Sequence, residues 1–258
     1  MKLYWKSFLL HFKSDLEYKE SFILAFISQI LIFFTYYFVI ISLFTKFNNI
    51  KGFSMYEVLL CFAVIQFGFA FCEVFARGID RFDKLIIDGG FDRLLLRPKN
   101  IIIQVLCSDS NMVKISRLIQ ALIVLVIALV NLKIDWNIYR VITLILMFIA
   151  SCVLFFSIFL LAASYCFYTV QGLEVRNLFT DGGKQMAQYP IGVFKKGFVF
   201  FFTFIIPYGF VNYYPLLYFI GRNNNIIYVF SPLVVFIFLI PSILMFYHGV
   251  KRYESVGS

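Results

Sequence analysis

Residues 22–44 read FILAFISQILIFFTYYFVIISLF, without one charged side chain. A helix needs about 20 such residues to cross a bilayer. Inside lipid the backbone must satisfy its own hydrogen bonds, so an unbroken helix is the form such a run takes. Comparable runs recur over residues 56–75, 112–132, 139–170 and 226–247, and another begins near Phe198. The run over 56–75 carries Glu57 and Glu73 near its ends and Gln66 in its middle. The expected fold is an all-α integral membrane protein, with six transmembrane helices in one domain spanning residues 1–258. Composition agrees: 62% of the residues are hydrophobic, 14% are charged and mean hydropathy is +0.88. A soluble domain carries roughly a quarter charged residues.

The net charge of +9 is distributed by position. A uniformly basic surface would point to nucleic acid. Here the charges fall between the apolar runs, which is a topology signal, so membrane lipid and not nucleic acid is the expected contact. Six spans put both termini on one side. The segments on that side hold most of the lysines and arginines, with Arg176, Lys184, Lys195 and Lys196 of the polar stretch 171–197 counted among them. The positive-inside rule then makes both termini cytoplasmic.

Several features depart from a plain bundle. In residues 1–21, Tyr4, Trp5, Phe8, Leu9 and Phe12 recur at helical spacing among Lys2, Lys6 and Lys13. This is the pattern of a helix lying in the membrane interface, either as an anchor or as a coupling element. The fifth run is interrupted by Pro207, Gly209, Asn212 and Pro215. Such backbone is tolerated only against protein or a watery cavity. Either the helix stops near Pro207 and residues 207–225 dip back from the outer face, or one kinked span crosses. Pro207, Asn212, Tyr213, Tyr214 and Pro215 are therefore candidate path or gate residues, with Gln66 and Glu73. Glu73 is a functional candidate as an acid within a span, or an ion-pair partner of Arg77 at i+4. The 35 Phe, 16 Tyr and 2 Trp serve interfacial belts or line a greasy path.

Catalytic chemistry is not legible. There is no G-x-x-x-x-G-K-[ST] loop and no H-E-x-x-H, and the two histidines, His11 and His248, sit near span ends. No paired carboxylates fall mid-membrane. The five cysteines form no C-x-x-C pair, so neither a disulfide nor a metal framework is expected. No small-residue cleavage site follows the basic start, so no removable signal peptide is expected.

The charged segment 76–111 separates the second and third runs. Asp88-Gly89-Gly90 is a turn signal. Phe91, Leu94 and Leu95 follow at i, i+3 and i+4 and give a short helix one apolar face. Asp92 in its first turn and Arg97 near its end both suit the helix dipole, and Pro98 stops it. Such a helix rests on lipid headgroups or fits a protein groove. The interspersed Asp80, Asp83, Asp88 and Asp92 suit the groove better.

Four stretches then carry a resemblance: DGGFDRLLLRPKN (88–100), QYPIGVF (188–194), IIPYGFVNYYPLLYFIG (205–221) and GVKRYESVGS (249–258). In order and spacing they resemble the membrane subunit of a type-2 ABC exporter, in the branch of six-span permeases of about this length. The large extracellular domain of some related exporters is not seen. The resemblance implies that Phe91, Asp92, Arg93, Leu94, Leu95 and Arg97 form a coupling helix that docks on a separate ABC ATP-binding subunit. It implies two such ATPases, carrying the ATP and Mg, and a second permease subunit that is the same chain or a related one. This chain would bind no cofactor and hold no catalytic residue. It would sit in a bacterial plasma membrane and export a lipophilic or amphipathic substrate such as a drug, peptide or lipid. An ion-coupled transporter would instead need ionisable groups within the spans. A membrane enzyme would need clustered His, Asp or Glu. A non-transporting partner protein would lack a bound ATPase.

Overall fold

The computed structural model describes residues 2–169 and 177–254, so Val170, Arg176 and the last four residues of GVKRYESVGS lie outside the described residues. The fold is all-α, as expected for an integral membrane protein. Helix α1 (Lys2–Glu17) precedes four long apolar helices, α2 (Lys19–Lys46), α3 (Met55–Phe75), α8 (Ile115–Asn131) and α9 (Ile138–Tyr165). Four short helices lie between α3 and α8: α4 (Arg77–Asp80), α5 (Phe82–Ile87), α6 (Gly90–Leu95) and α7 (Ile101–Leu106). A last long helix spans Ile227–Arg252. A sixth apolar candidate is the pair Lys196–Ile205 and Tyr208–Phe219, which meet at 90°.

Helix α3 is the centre of the bundle. Its start is fixed by Ser54 and Glu57, whose side chains cap each other's backbone reciprocally. It is buried along most of its length between α8 and α9. Gly68 allows the closest approach, since a Cβ there would lie 2.6 Å from the Ser151 backbone. Phe69 packs edge-on against Phe155 of α9, with ring centroids 5.2 Å apart. In contrast, α2 buries only Phe33 and Ile40 and leaves most of its apolar surface to lipid.

Both described termini lie at the Glu73 end of α3. Tyr4 of α1 donates a 2.7 Å hydrogen bond to the Phe75 carbonyl, Phe8 stacks on Phe75, and Ser7 donates to the Cys107 carbonyl at 2.6 Å. Partial burial pushes the Tyr4 phenol up to about 12. At the other end of the chain, Tyr253 packs on Phe91 of α6.

The fifth crossing differs from the sequence expectation. Asn177, Thr180 and Asp181 line a polar cavity with Glu73 and Arg77, at the end where the termini lie. The Lys184 ammonium sits 3.9 Å above the Phe69 ring, about 21 Å along α3 from Met55. The Ala187 carbonyl meets Asn212, whose own carbonyl accepts from Cys61, only about 9 Å from that far end. A Cβ on Gly192 would strike Tyr213, which packs on Phe53 in the loop joining α2 to α3. Residues 177–194 therefore climb from the termini end to the far end and make the fifth crossing themselves.

Lys195, three residues beyond Gly192, accordingly lies at the far end and shares a groove with Phe47 and Asn49. Lys196–Ile205 descends from there until Phe202 and Tyr208 meet near the depth of Phe155. Tyr208–Phe219 then returns until Phe219 packs on Trp136 in the loop joining α8 to α9. The apolar run from Phe198 is the descending arm of a hairpin, not a span. The dip expected over residues 207–225 already begins at Lys196. Lys195 and Lys196 belong with the far-end charges, and Lys184 is buried within the crossing.

Candidate functional site

The charged loop folds back on the bundle through its aromatic residues. Gly89 adopts φ +61°, a left-handed turn that opens α6. Phe91 is fully buried, its ring 5.0 Å from those of Phe82 and Tyr253 and 5.5 Å from Phe167. Leu94 is half-buried against the core. This corrects the expectation for Phe91, which roots the helix and does not form its outward face; Leu94 lies between root and face. The exposed residues are Arg93, Leu95, Leu96 and Arg97, with Leu96 86% exposed, and Asp92 lies at the edge of burial. Beyond Pro98 the chain is held again. Gln104 donates to the Lys99 carbonyl at 2.9 Å, and Asn100 caps α7 while donating to the Tyr247 hydroxyl at 2.9 Å. The exposed tip is thus carried on a fixed base.

Glu73 joins this loop to the spans. Its carboxylate meets Arg117 at 2.8 Å, Lys114 at 3.3 Å and Arg77 at 3.8 Å. The i+4 partner expected from sequence is the most distant of the three, and Arg77 bonds more closely to Asp80. Lys114 also donates to Gln29 of α2 at 3.0 Å. One acid therefore ties α3 to the start of α8 and, through Lys114, to α2. A polar cavity of about 470 Å³ opens beside it, where charged groups of the α4–α5 region face Thr180 and Asp181 of the fifth crossing.

The remaining candidate residues lie elsewhere. Gln66 is buried within α3. Pro207 stands at the hairpin bend, where Ile206 takes an extended conformation and the helix breaks. Asn212 is wholly buried on the ascending arm and donates to the carbonyls of Ala187 and Tyr189. Tyr213 and Tyr214 continue an aromatic chain from Phe53 to Tyr228, and Pro215 occupies the first turn of the helix that follows. Glu73 lies about 18 Å along α3 from the Cys61 that meets Asn212. The structure therefore does not bring Glu73 and the hairpin residues into one site.

Two features escaped the sequence reading. Lys184 is 3% exposed, held between Asp181 at 2.9 Å and the Phe69 ring. The other is a groove of about 1380 Å³ bounded by the end of α2, the fifth crossing and the descending arm, with Phe47, Met186, Phe198 and Phe202 among its walls. None of the candidate path residues lines it. The signal was the QYPIGVF stretch, whose Tyr189, Val193 and Phe194 form part of the wall.

An aromatic-rich bundle of long apolar helices, with a rooted loop helix at one end and a broken hairpin at the other, defines an all-α integral membrane protein. The family described as ABC-2 family transporter protein matches residues 30–257, and the chain belongs to that family. It is thus a membrane protein of the ABC transporter class, whose permease subunits work with an ABC ATP-binding subunit. No curated protein and no solved structure matched the chain.

Proposed function

We propose that this chain is the permease subunit of an ATP-driven exporter, and that α6 is where a separate ATP-binding subunit takes hold. The observation that carries this reading is the tip of α6. Leu96 is left 86% exposed in a charged loop, on a base held by aromatic packing and hydrogen bonds, which supports a partner groove as its cover. A groove on a partner would cover Leu95 and Leu96, with Arg93 and Arg97 at the rim. ATP and Mg would act on that partner, and a second permease subunit would complete the path. The termini and α6 then face the cytoplasm, and the hairpin caps the outer half. The substrate is lipophilic or amphipathic, in keeping with the aromatic walls of the groove. Glu73 weighs against an ion-coupled carrier, because three cations already surround it.

The test is copurification with the ATPase. Leu96→Asp places a charge that a docked groove would have to desolvate, so ATPase association and efflux should both fall, while the thermal stability of the free chain stays within about 0.5 kcal/mol. Unchanged association in both Leu96→Asp and Leu95→Asp would sink the docking assignment.

A further inference from the structure

The far-end groove has a charge pattern that the proposed function leaves unused. Its walls are apolar from Leu43 and Phe47 at the end of α2 to Phe201 and Phe202 on the descending arm, which reach towards mid-membrane. Lys195 stands in its lining and Lys196 follows it at the start of the descending arm, both exposed. Lys46 and Lys51 flank the Phe47–Ile50 wall on the α2 side. Residues 45–53 and 190–200 contain no acid. The next acid along the first segment, Glu57, is engaged by Arg222 at 2.7 Å. Neither Lys195 nor Lys196 has an ion-pair partner among the described residues. With the termini on the cytoplasmic side, as proposed, lysines at this end run against the preference for basic residues in cytoplasmic loops.

We propose that the groove binds an anionic phospholipid of the outer leaflet, with an acyl chain between the descending arm and α2 and the phosphate on Lys195 and Lys196. Apolar walls at hydrocarbon depth accept the chain, and the lysines meet the headgroup at the interface. One wall of the groove is the end of α2, a helix that leaves most of its apolar surface to lipid, so a lipid would reach it from the bilayer. This site rests on the membrane placement of the chain and not on ATP coupling.

The experiment uses the purified chain without an ATPase, in nanodiscs of phosphatidylcholine containing a minor fraction of a photoactivatable lipid. Photoactivatable phosphatidylglycerol should label the groove, at Met186 and Phe198, on the order of tenfold more than the matching phosphatidylcholine. Lys195→Gln with Lys196→Gln should remove that preference and leave thermal stability unchanged, since both side chains are exposed. Equal labelling by the two lipids would overturn the proposal, as would a preference that survives the double variant. So would a disulfide between copies through Phe198→Cys that displaces the lipid adducts, which would assign this face to a second copy of the chain. Loss of ATPase copurification would count against the permease reading alone, and loss of lipid preference against this site alone.

Discussion

The Arg117 guanidinium of α8 donates a 2.8 Å hydrogen bond to the Glu73 carboxylate of α3, and both side chains are largely buried. Lys114 and Arg77 complete the shell around the same carboxylate. This one acid therefore links the start of the α4–α7 loop, through Arg77, to two spans.

Removing the acid leaves three cations facing one another in a partly dry site. Breaking a buried pair from one side costs about 3–5 kcal/mol, because the remaining charge keeps its desolvation without its partner. Glu73→Gln should therefore lower thermal stability in detergent by an amount in that range. Glu73→Gln with Arg117→Gln should recover about half of the loss, since the second change removes the nearest stranded charge. A double variant no more stable than the single would show that the pair does not act as a unit.

Phe91 tests the distinction between root and tip. Deleting a fully buried phenylalanine costs about 3–5 kcal/mol, and Phe91 is shared among Phe82, Phe167 and Tyr253. Phe91→Ala should lower the unfolding temperature of the isolated chain, where Leu96→Asp leaves it unchanged. Equal stability of the two variants would return Phe91 to the outward face that its spacing with Leu94 and Leu95 suggests.

Why the sequence suggests that face shows what a single chain's pattern conveys. The i, i+3, i+4 pattern identifies an apolar stripe, and the turn at Gly89 and the stop at Pro98 both form where expected. Which leucines the stripe hides depends on Phe167 and Tyr253, more than 70 residues away. The long spans were legible because lipid imposes length and apolarity locally. The fifth crossing was not, because Asp181, Gly182, Gly183 and Lys184 defeat any hydropathy window. Its tolerance comes from α3, which supplies the Phe69 ring, and from the hairpin, which supplies Tyr208 and Asn212. The converse misled as well, since the phenylalanine-rich stretch from Phe198 is apolar enough to span but turns back at Pro207.

The hairpin carries buried polar atoms of two kinds. Asn212 donates through its amide nitrogen to Ala187 and Tyr189, though its Oδ1 has no partner among the described residues, and the Thr203 hydroxyl is buried with no partner among them at all. An unpaired buried hydroxyl costs about 1–3 kcal/mol. Thr203→Val should therefore leave thermal stability unchanged or raise it by about 1 kcal/mol. Asn212→Leu should lower it, because two carbonyls of the fifth crossing lose their donor. A destabilised Thr203→Val would mean that the hydroxyl has a partner in the membrane.

The placement of Lys195 decides between a hairpin and a span. If residues 198–219 crossed the bilayer, Lys195 and Asn224 would lie on opposite sides. In the structure both stand at the far end, with Lys195 just past Gly192, which meets Tyr213, and Asn224 in the turn before the last helix. Lys99, in the α6–α7 connection, stands at the end bearing the termini. Single cysteines at these three positions, in a variant lacking the five native cysteines, can be probed in intact cells with a membrane-impermeant thiol reagent. All three residues are exposed, so labelling reports sidedness and not burial. Lys195→Cys and Asn224→Cys should label together from outside, and Lys99→Cys only after permeabilisation. Labelling of Asn224→Cys without Lys195→Cys would restore the kinked span. It would also return Lys195 and Lys196 to the cytoplasmic charge count and remove the phosphate site with them.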